Sequence, residues 1–238
     1  MAPTPESLAR WLVKDINQAC RDHAMLGPGE RLAVAVSGGK DSLALLRLLD
    51  LRRRWVLDGY ELVALHVQGD ARGAATPPHP PLADWLRHQQ IQFRILAPDL
   101  SANEPQPLGC QRCAWNRRRV LFQAAVDAGC AAIAFAHHAD DLAQTTLLNL
   151  IYHGRAETML PRRDYFDGRL RLIRPLYRIP EKELRRFARV CELPPPPPTC
   201  PQAQDSRREL ARSLLRQMVD QHPLARVNLL RAGLGPQG

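Results

Sequence analysis

Six consecutive residues, Ser37-Gly38-Gly39-Lys40-Asp41-Ser42, carry the groups that a phosphate binder needs. The apolar run Leu32-Ala33-Val34-Ala35-Val36 leads in, and Leu43-Ala44-Leu45-Leu46 with Leu48-Leu49 leads out. This pattern predicts a buried strand, a glycine turn and a helix start at one point. The first-turn amides of a helix lack acceptors and the positive end of its dipole gathers there, and both favour an anion. Gly38 and Gly39 allow close approach and φ values that other residues resist. Ser37, Ser42 and Lys40 add donors, and Asp41 offers a carboxylate for Mg²⁺. A plain strand-to-helix turn with an Asp/Ser cap would use the same residue types.

Cysteine supplies the second constellation. Cys110-x-x-Cys113 places two thiols, expected on a loop, at a spacing that can clasp one soft metal centre. Two ligands leave such a site incomplete. Cys200 is the candidate third, because it follows the proline run Pro194–Pro198 and lies outside any regular helix pattern. Cys20, Cys130 and Cys191 fall within helix or strand patterns and are expected to be small buried side chains. Three thiols suit an iron–sulfur cluster with one iron open. Zinc would need a fourth ligand such as His137 or His138. A redox pair is expected at the first strand–helix junction, which the glycine turn already occupies.

Behind Cys113 stand Trp115 and Arg117-Arg118-Arg119. If a helix starts near there, three Arg in its first turns oppose the dipole, which points to a phosphate or a polarised substrate. The plain alternative is a solvated basic face. His137-His138-Ala139-Asp140-Asp141 follows a short apolar run. Its carboxylates can cap a helix, or hold Mg²⁺ or a substrate proton. The histidines can fix the turn or touch a nucleotide.

The elements that must position these groups read as an alternation. A helix is expected over 5–25, ended by Gly27-Pro28-Gly29, then a strand over 31–36 and a helix to about Arg53. A strand over 62–67, a helix near 82–90 and a strand over 92–96 follow. Next come a helix up to Ala128, a strand over 131–136, a helix to about Tyr152 and a strand over 170–174. The last part reads as a helix over 180–191, the proline spacer and a basic helical region over 205–232 broken near Pro223. The fold class is therefore α/β, a doubly wound parallel sheet with a small helical C-terminal region. The division expected is 1–28 for an N-terminal helix, 29–175 for the sheet domain and 176–238 for the C-terminal region with the third Cys.

Composition narrows the partners. The 238 residues carry a formal net charge of +9, which favours a polyanion. Lys occurs only at positions 14, 40 and 182, so nearly all of this basicity is Arg, which suits bidentate phosphate contact. A general preference for Arg would raise the count equally. No apolar run approaches the roughly 20 residues of a membrane span. The N-terminus lacks a signal-peptide core, so a cytoplasmic location and no membrane partner are expected.

Ser-Gly-Gly-x-Asp-Ser resembles the PP-loop signature of the ATP pyrophosphatases, of adenine nucleotide alpha hydrolase-like fold. The whole set resembles the tRNA 2-thiocytidine synthetase family and its relatives among iron–sulfur-dependent tRNA thiolases. That set is the loop, Cys110-x-x-Cys113 with Arg117-Arg118, His137-His138-Ala-Asp140-Asp141, Ile173-Arg174-Pro175-Leu176, and Cys200 ahead of Ser206-Arg207-Arg208. It covers the chain from about Arg31 to Gln217. Ala136 stands where the family commonly has Gly.

The resemblance implies that ATP and Mg²⁺ bind at Ser37, Gly38, Gly39, Lys40, Asp41 and Ser42, with His137 beside the nucleotide. It implies Asp41, Asp141 and Arg117 as catalytic residues, Arg117 by stabilising charge, and a [4Fe–4S] cluster on Cys110, Cys113 and Cys200. The implied reaction adenylates the C2 oxygen of a tRNA pyrimidine, cytidine first, and replaces that oxygen with sulfur. The implied partners are tRNA, a sulfur donor (a cysteine desulfurase or sulfide) and a possible homodimer. Two other readings stand beside it. A lysidine synthetase-like ligase would leave the three cysteines unexplained, and a non-catalytic, metal-stabilised RNA-binding module would leave the loop unexplained.

Overall fold

Strand β1 (Arg31–Ala35) has no polar face, and the structure shows why. In the computed structural model, which describes residues 4–69, 79–99, 108–198 and 206–235, it lies in the middle of a six-stranded sheet. The other strands are β2 (Glu61–Val67), β3 (Gln92–Leu96), β4 (Ala132–Ala134), β5 (Arg162–Tyr165) and β6 (Leu170–Ile173), in the order β3-β2-β1-β4-β6-β5. All neighbours run parallel except β5, which pairs antiparallel with β6. Successive side chains of a strand point to opposite faces. Leu32, Val34, Leu62 and Ala64 accordingly enter one apolar cluster, and Ala33, Ala35, Val63 and Leu65 the other. Burial on both faces is what a parallel sheet requires.

The helices among the described residues are α1 (Pro5–Asp22), α2 (Lys40–Trp55), α3 (Pro80–His88), α4 (Cys110–Asp127), α5 (Ala139–His153), α6 (Glu181–Val190), α7 (Ser206–Gln221) and α8 (Ala225–Leu234). Thr4 caps α1, its side chain accepting from the Ser7 amide at 3.2 Å, and Leu8, Leu12 and Ile16 bury one face. Helix α6 packs on α2 and α1, with Leu184 and Phe187 fully buried. Helices α7 and α8 pack on α5. The approach of α8 to α5 is close enough that a methyl group on Gly233 would run into the Thr146 hydroxyl.

Two expectations need correction. Cys110 and Cys113 are not on a loop; they form the first turn of α4, where Gly109 is the N-cap and the Cys113 amide donates to the Gly109 carbonyl at 2.9 Å. The three arginines 117–119 consequently lie about two turns into that helix, so the argument from an opposing dipole falls away. Strand β5 was not expected at all. The expected strand over 131–136 is shorter, because Phe135 continues only one backbone bond, to Ile173, before the chain turns. Cys20 and Cys130 are buried as expected and Cys191 is half-buried, and burial raises all three thiols, Cys20 to about 11. Cys200, the expected third ligand, lies outside the described residues.

Candidate active site

The strand order reverses between β1 and β4, and the chain leaves both at the same sheet edge. Such a reversal opens a crevice in doubly wound folds. The turn after β1 is Ser37–Ser42 and the turn after β4 begins at Phe135, so the two candidate motifs become neighbours.

The first turn is held by its own serines. The Ser42 hydroxyl donates to the Gly39 carbonyl at 2.8 Å and accepts the Ser37 amide at 3.1 Å. The Gly39 amide donates to the Ser37 hydroxyl at 3.2 Å. Behind the loop, buried His66 donates from Nδ1 to the Val36 carbonyl at 2.8 Å, and burial lowers its pKa, so it stays neutral. Gly38 has φ +88°, and a Cβ there would meet Leu82 at 3.1 Å and Pro197 at 3.2 Å. Gly39 has an ordinary φ of −73°. Only the first glycine of the pair is thus required by its backbone conformation. Pro197, in the proline spacer, seats that part of the chain directly on the loop.

Lys40 does not face open space. Its ammonium lies 2.9 Å from Asp41 Oδ2 and 2.8 Å from Glu181 Oε1. Burial opposes its charge, but the bonds to Glu181 and Asp41 prevail and raise its pKa. Glu181 falls to about 2: burial pushes it up, and Lys40 and Arg185 pull it down further. Sequence reasoning missed Glu181. Its place at a Pro-Glu helix start was visible, but its contact with a residue 141 positions earlier was not.

The second turn brings more carboxylates. His138 is the N-cap of α5, and its amide donates to Asp141 Oδ2 at 2.9 Å. His138 Nε2 sits 3.4 Å from Asp141 Oδ2 and 3.9 Å from Asp41 Oδ2, so one buried imidazole stands between the two turns. Burial raises the Asp141 pKa; His138 opposes that rise, and Asp41 and Asp140 add to it. Asp41 Oδ1 is buried and has no hydrogen-bond partner among the described residues. An orphaned carboxylate oxygen beside a second, uncomfortable carboxylate fits a divalent cation that keeps most of its ligands from water and phosphate. Asp140 has a structural task instead, accepting the Glu181 amide and the Arg226 guanidinium, each at 2.7 Å.

A cavity of about 400 Å³ opens between the turns. Ser37, Gly39, Asp41 and Ser42 form one wall. Ala114, Arg117 and Arg118 of α4 form another, and Phe135 and His137 line the end of β4. Arg208 of α7 also reaches it. This volume suits a nucleotide or nucleobase. His137 is held neutral, its pKa lowered to about 3 by burial and by Arg174 and Arg118. Its ring stacks on Phe135 at 5.9 Å, and its Nδ1 has no partner among the described residues. Burial and Arg118 lower Arg174 to about 10. Arg117, Arg118 and Arg208 give the cavity lining positive charge suited to phosphate. The Arg117 guanidinium donates to the Gly69 carbonyl. Cys113 immediately precedes the cavity-lining Ala114, with exposed Cys110 one helical turn away on the same face. Two thiols so placed fit a soft metal centre whose remaining ligand comes from elsewhere.

The glycine geometry generates a test. Gly38→Ala should cost about 1–2 kcal/mol more than Gly39→Ala in urea unfolding, because only the first forces a left-handed conformation on a side chain. Equal losses would contradict the assigned turn.

Comparison with known proteins gives this geometry a lineage. The family model described as a PP-loop domain matches residues 10–220. A tRNA-cytidine(32) 2-sulfurtransferase from Anaeromyxobacter dehalogenans (strain 2CP-C) is 38% identical over 232 residues, covering 94% of this chain and 79% of the relative. One of the same name from Geobacter sulfurreducens is 34% identical over 224 residues, covering 91% and 86%. In fold, the chain is similar to the U34-tRNA thiolase NcsA from Methanococcus maripaludis, solved with its [4Fe-4S] cluster. The TM-score is 0.75 at 22% identity, covering 95% of this chain and 78% of the other. The chain belongs to the PP-loop family and, within it, to the group whose members are named tRNA-cytidine(32) 2-sulfurtransferase.

Proposed function

We propose that the protein is an ATP-dependent tRNA sulfurtransferase that converts a cytidine to 2-thiocytidine. One observation carries the reading: a single cavity is lined by the PP-loop and by Ala114 and Arg117 of α4, the helix whose first turn holds Cys110 and Cys113, so the two thiols stand within one helical turn of a wall of the phosphate cavity. The name of the relatives at up to 38% identity supports it. The lysidine-type alternative gives the Cys110/Cys113 pair at this cavity no task.

In the first step the C2 oxygen of the base bonds to the α-phosphorus of ATP, and the bond to the bridging oxygen breaks, releasing pyrophosphate. In the second, sulfur at the oxidation level of sulfide attacks C2, and AMP leaves with the former C2 oxygen. Ser37, Gly38, Gly39 and Ser42 cradle the phosphates, with Lys40 fixed at the edge by Glu181. Asp41 and Asp141 would hold Mg²⁺, which would supply positive charge beside the phosphates. His137, neutral and stacked on Phe135, offers a ring nitrogen to the nucleotide. Arg117 stabilises charge at the activated base.

A [4Fe–4S] cluster on Cys110, Cys113 and Cys200 would present one iron without a protein ligand to a sulfur atom. The described chain on either side of Cys200 supports that placement, since Pro197 rests on Gly38 and Arg208 lines the cavity. Among the described residues no helix is long and apolar enough to cross a membrane. Cytoplasmic action, a cysteine desulfurase or sulfide as donor, and a homodimer belong to the same proposal.

Asp41→Ala should abolish tRNA-dependent pyrophosphate release, measured with the purified protein; release at the wild-type rate would remove this loop from the reaction. Purified without oxygen, the protein should be brown and contain iron and acid-labile sulfide. Cys200→Ser should lose that iron and Cys130→Ser should keep it. A colourless wild-type protein with stoichiometric zinc would exclude the cluster.

A further inference from the structure

A second cavity, of about 500 Å³, lies between α5, α6, α7 and α8 and shares Glu181 with the PP-loop. Five cations line it: Lys182 and Arg185 from α6, Arg212 and Arg216 from α7, and Arg226 from α8. Three carboxylates face them, and two are already engaged. Asp140 binds Arg226 at 2.7 Å, and Glu181 is shared between Lys40 and Arg185 at 2.8 and 2.9 Å. Arg212 pairs with Glu209, outside the cavity, at 2.5 Å. Lys182 and Arg216, both exposed, have no ion pair or side-chain hydrogen bond among the described residues. Only Asp220 is left to offset them, so the cavity keeps net positive charge.

Helix α7 joins this cavity to the first. Arg208 lines the loop cavity, and Arg212 and Arg216 line the second. These positions are four residues apart, so they share one helix face and span about 12 Å along its axis. Within this row Glu209 offsets Arg212, whereas Arg216 has no ion pair among the described residues, so the end of the row in the second cavity stays open to an anion. A row that begins at a base-sized cavity and ends in a separate basic pocket matches one extended polyanion with a reactive end.

We propose that Arg208, Arg212, Arg216 and Lys182 form a track for the phosphodiester backbone of the RNA whose base enters the loop cavity. This rests on the reading above that the substrate is an RNA. The backbone fixes position and register, while the base and the loop carry the chemistry. Lys182 and Arg216 are the cations with the least to lose from the folded state, and they supply the cleanest probe.

Equilibrium binding of an unmodified tRNA transcript is measured over a range of salt for the wild type and for Lys182→Gln/Arg216→Gln. Lys14→Gln/Arg169→Gln, which removes the same charge from exposed positions on α1 and the β5–β6 turn, serves as the control. The track predicts about a tenfold or greater loss of affinity and a salt slope smaller by about 2 for the first variant. The control should stay within about twofold of the wild type, and both should bind ATP normally. That outcome upholds the track even if the wild type binds tRNA without thiolating it, which would remove only the sulfur chemistry. Wild-type affinity and slope in the first variant, an equal loss in the control, or no tRNA binding by the wild type would each overturn it.

Discussion

The parallel pairing of β1 with β4, Leu32 beside Ala132 through Val34 beside Ala134, sets two chain reversals side by side. Both strands are buried on both faces, so neither can shift register without driving apolar side chains out of a core. That constraint delivers Ser37–Ser42 and His137–Asp141 to one crevice. Within it the imidazole of His138 separates Asp41 from Asp141 by less than 4 Å on each side. Burial raises Asp141, with Asp41 and Asp140 adding to the rise, and although Lys40 holds one oxygen of Asp41 at 2.9 Å, its buried Oδ1 has no hydrogen-bond partner among the described residues. The site stores electrostatic demand that a metal–nucleotide complex would satisfy.

A second set of contacts ties this crevice to the far end of the chain. Glu181 reaches back to Lys40, and the Glu181 amide and Arg226 both reach Asp140. Helices α6 and α8 are thereby fixed to the PP-loop and to α5 by charge-assisted bonds as well as by packing. Pro197 on Gly38 adds a steric contact. The helices beyond β6 thus share the carboxyl edge of the sheet with the phosphate loop and extend its positive surface outward.

Much of the fold was legible because buried parallel strands announce themselves as apolar runs. Leu32–Val36 and Leu62–Val67 are such runs, each followed by glycine or a loop and then a helical pattern. Strand β5 was not legible: Arg162-Arg163-Asp164-Tyr165 is a polar edge strand whose supports, its pairing with β6 and the packing of Tyr165 on Phe122, both come from distant residues or the tertiary fold. The start of α4 at Cys110 was hidden as well. Its N-cap is Gly109, which has no side chain to cap with and leaves no polar signature. In the site, the phosphate loop was visible as a local motif. The engagement of Asp140 in a structural pair and of Lys40 with Glu181 was not, since both depend on residues more than 80 positions away.

Sulfur insertion at a cytidine is the central claim, and the product itself tests it most directly. Mass spectrometry of nucleosides from tRNA of cells with and without this protein reads that product. The account predicts that 2-thiocytidine is present with the protein and missing without it, and returns with the wild-type chain but not with Asp41→Ala. An unchanged 2-thiocytidine content in its absence would contradict the account.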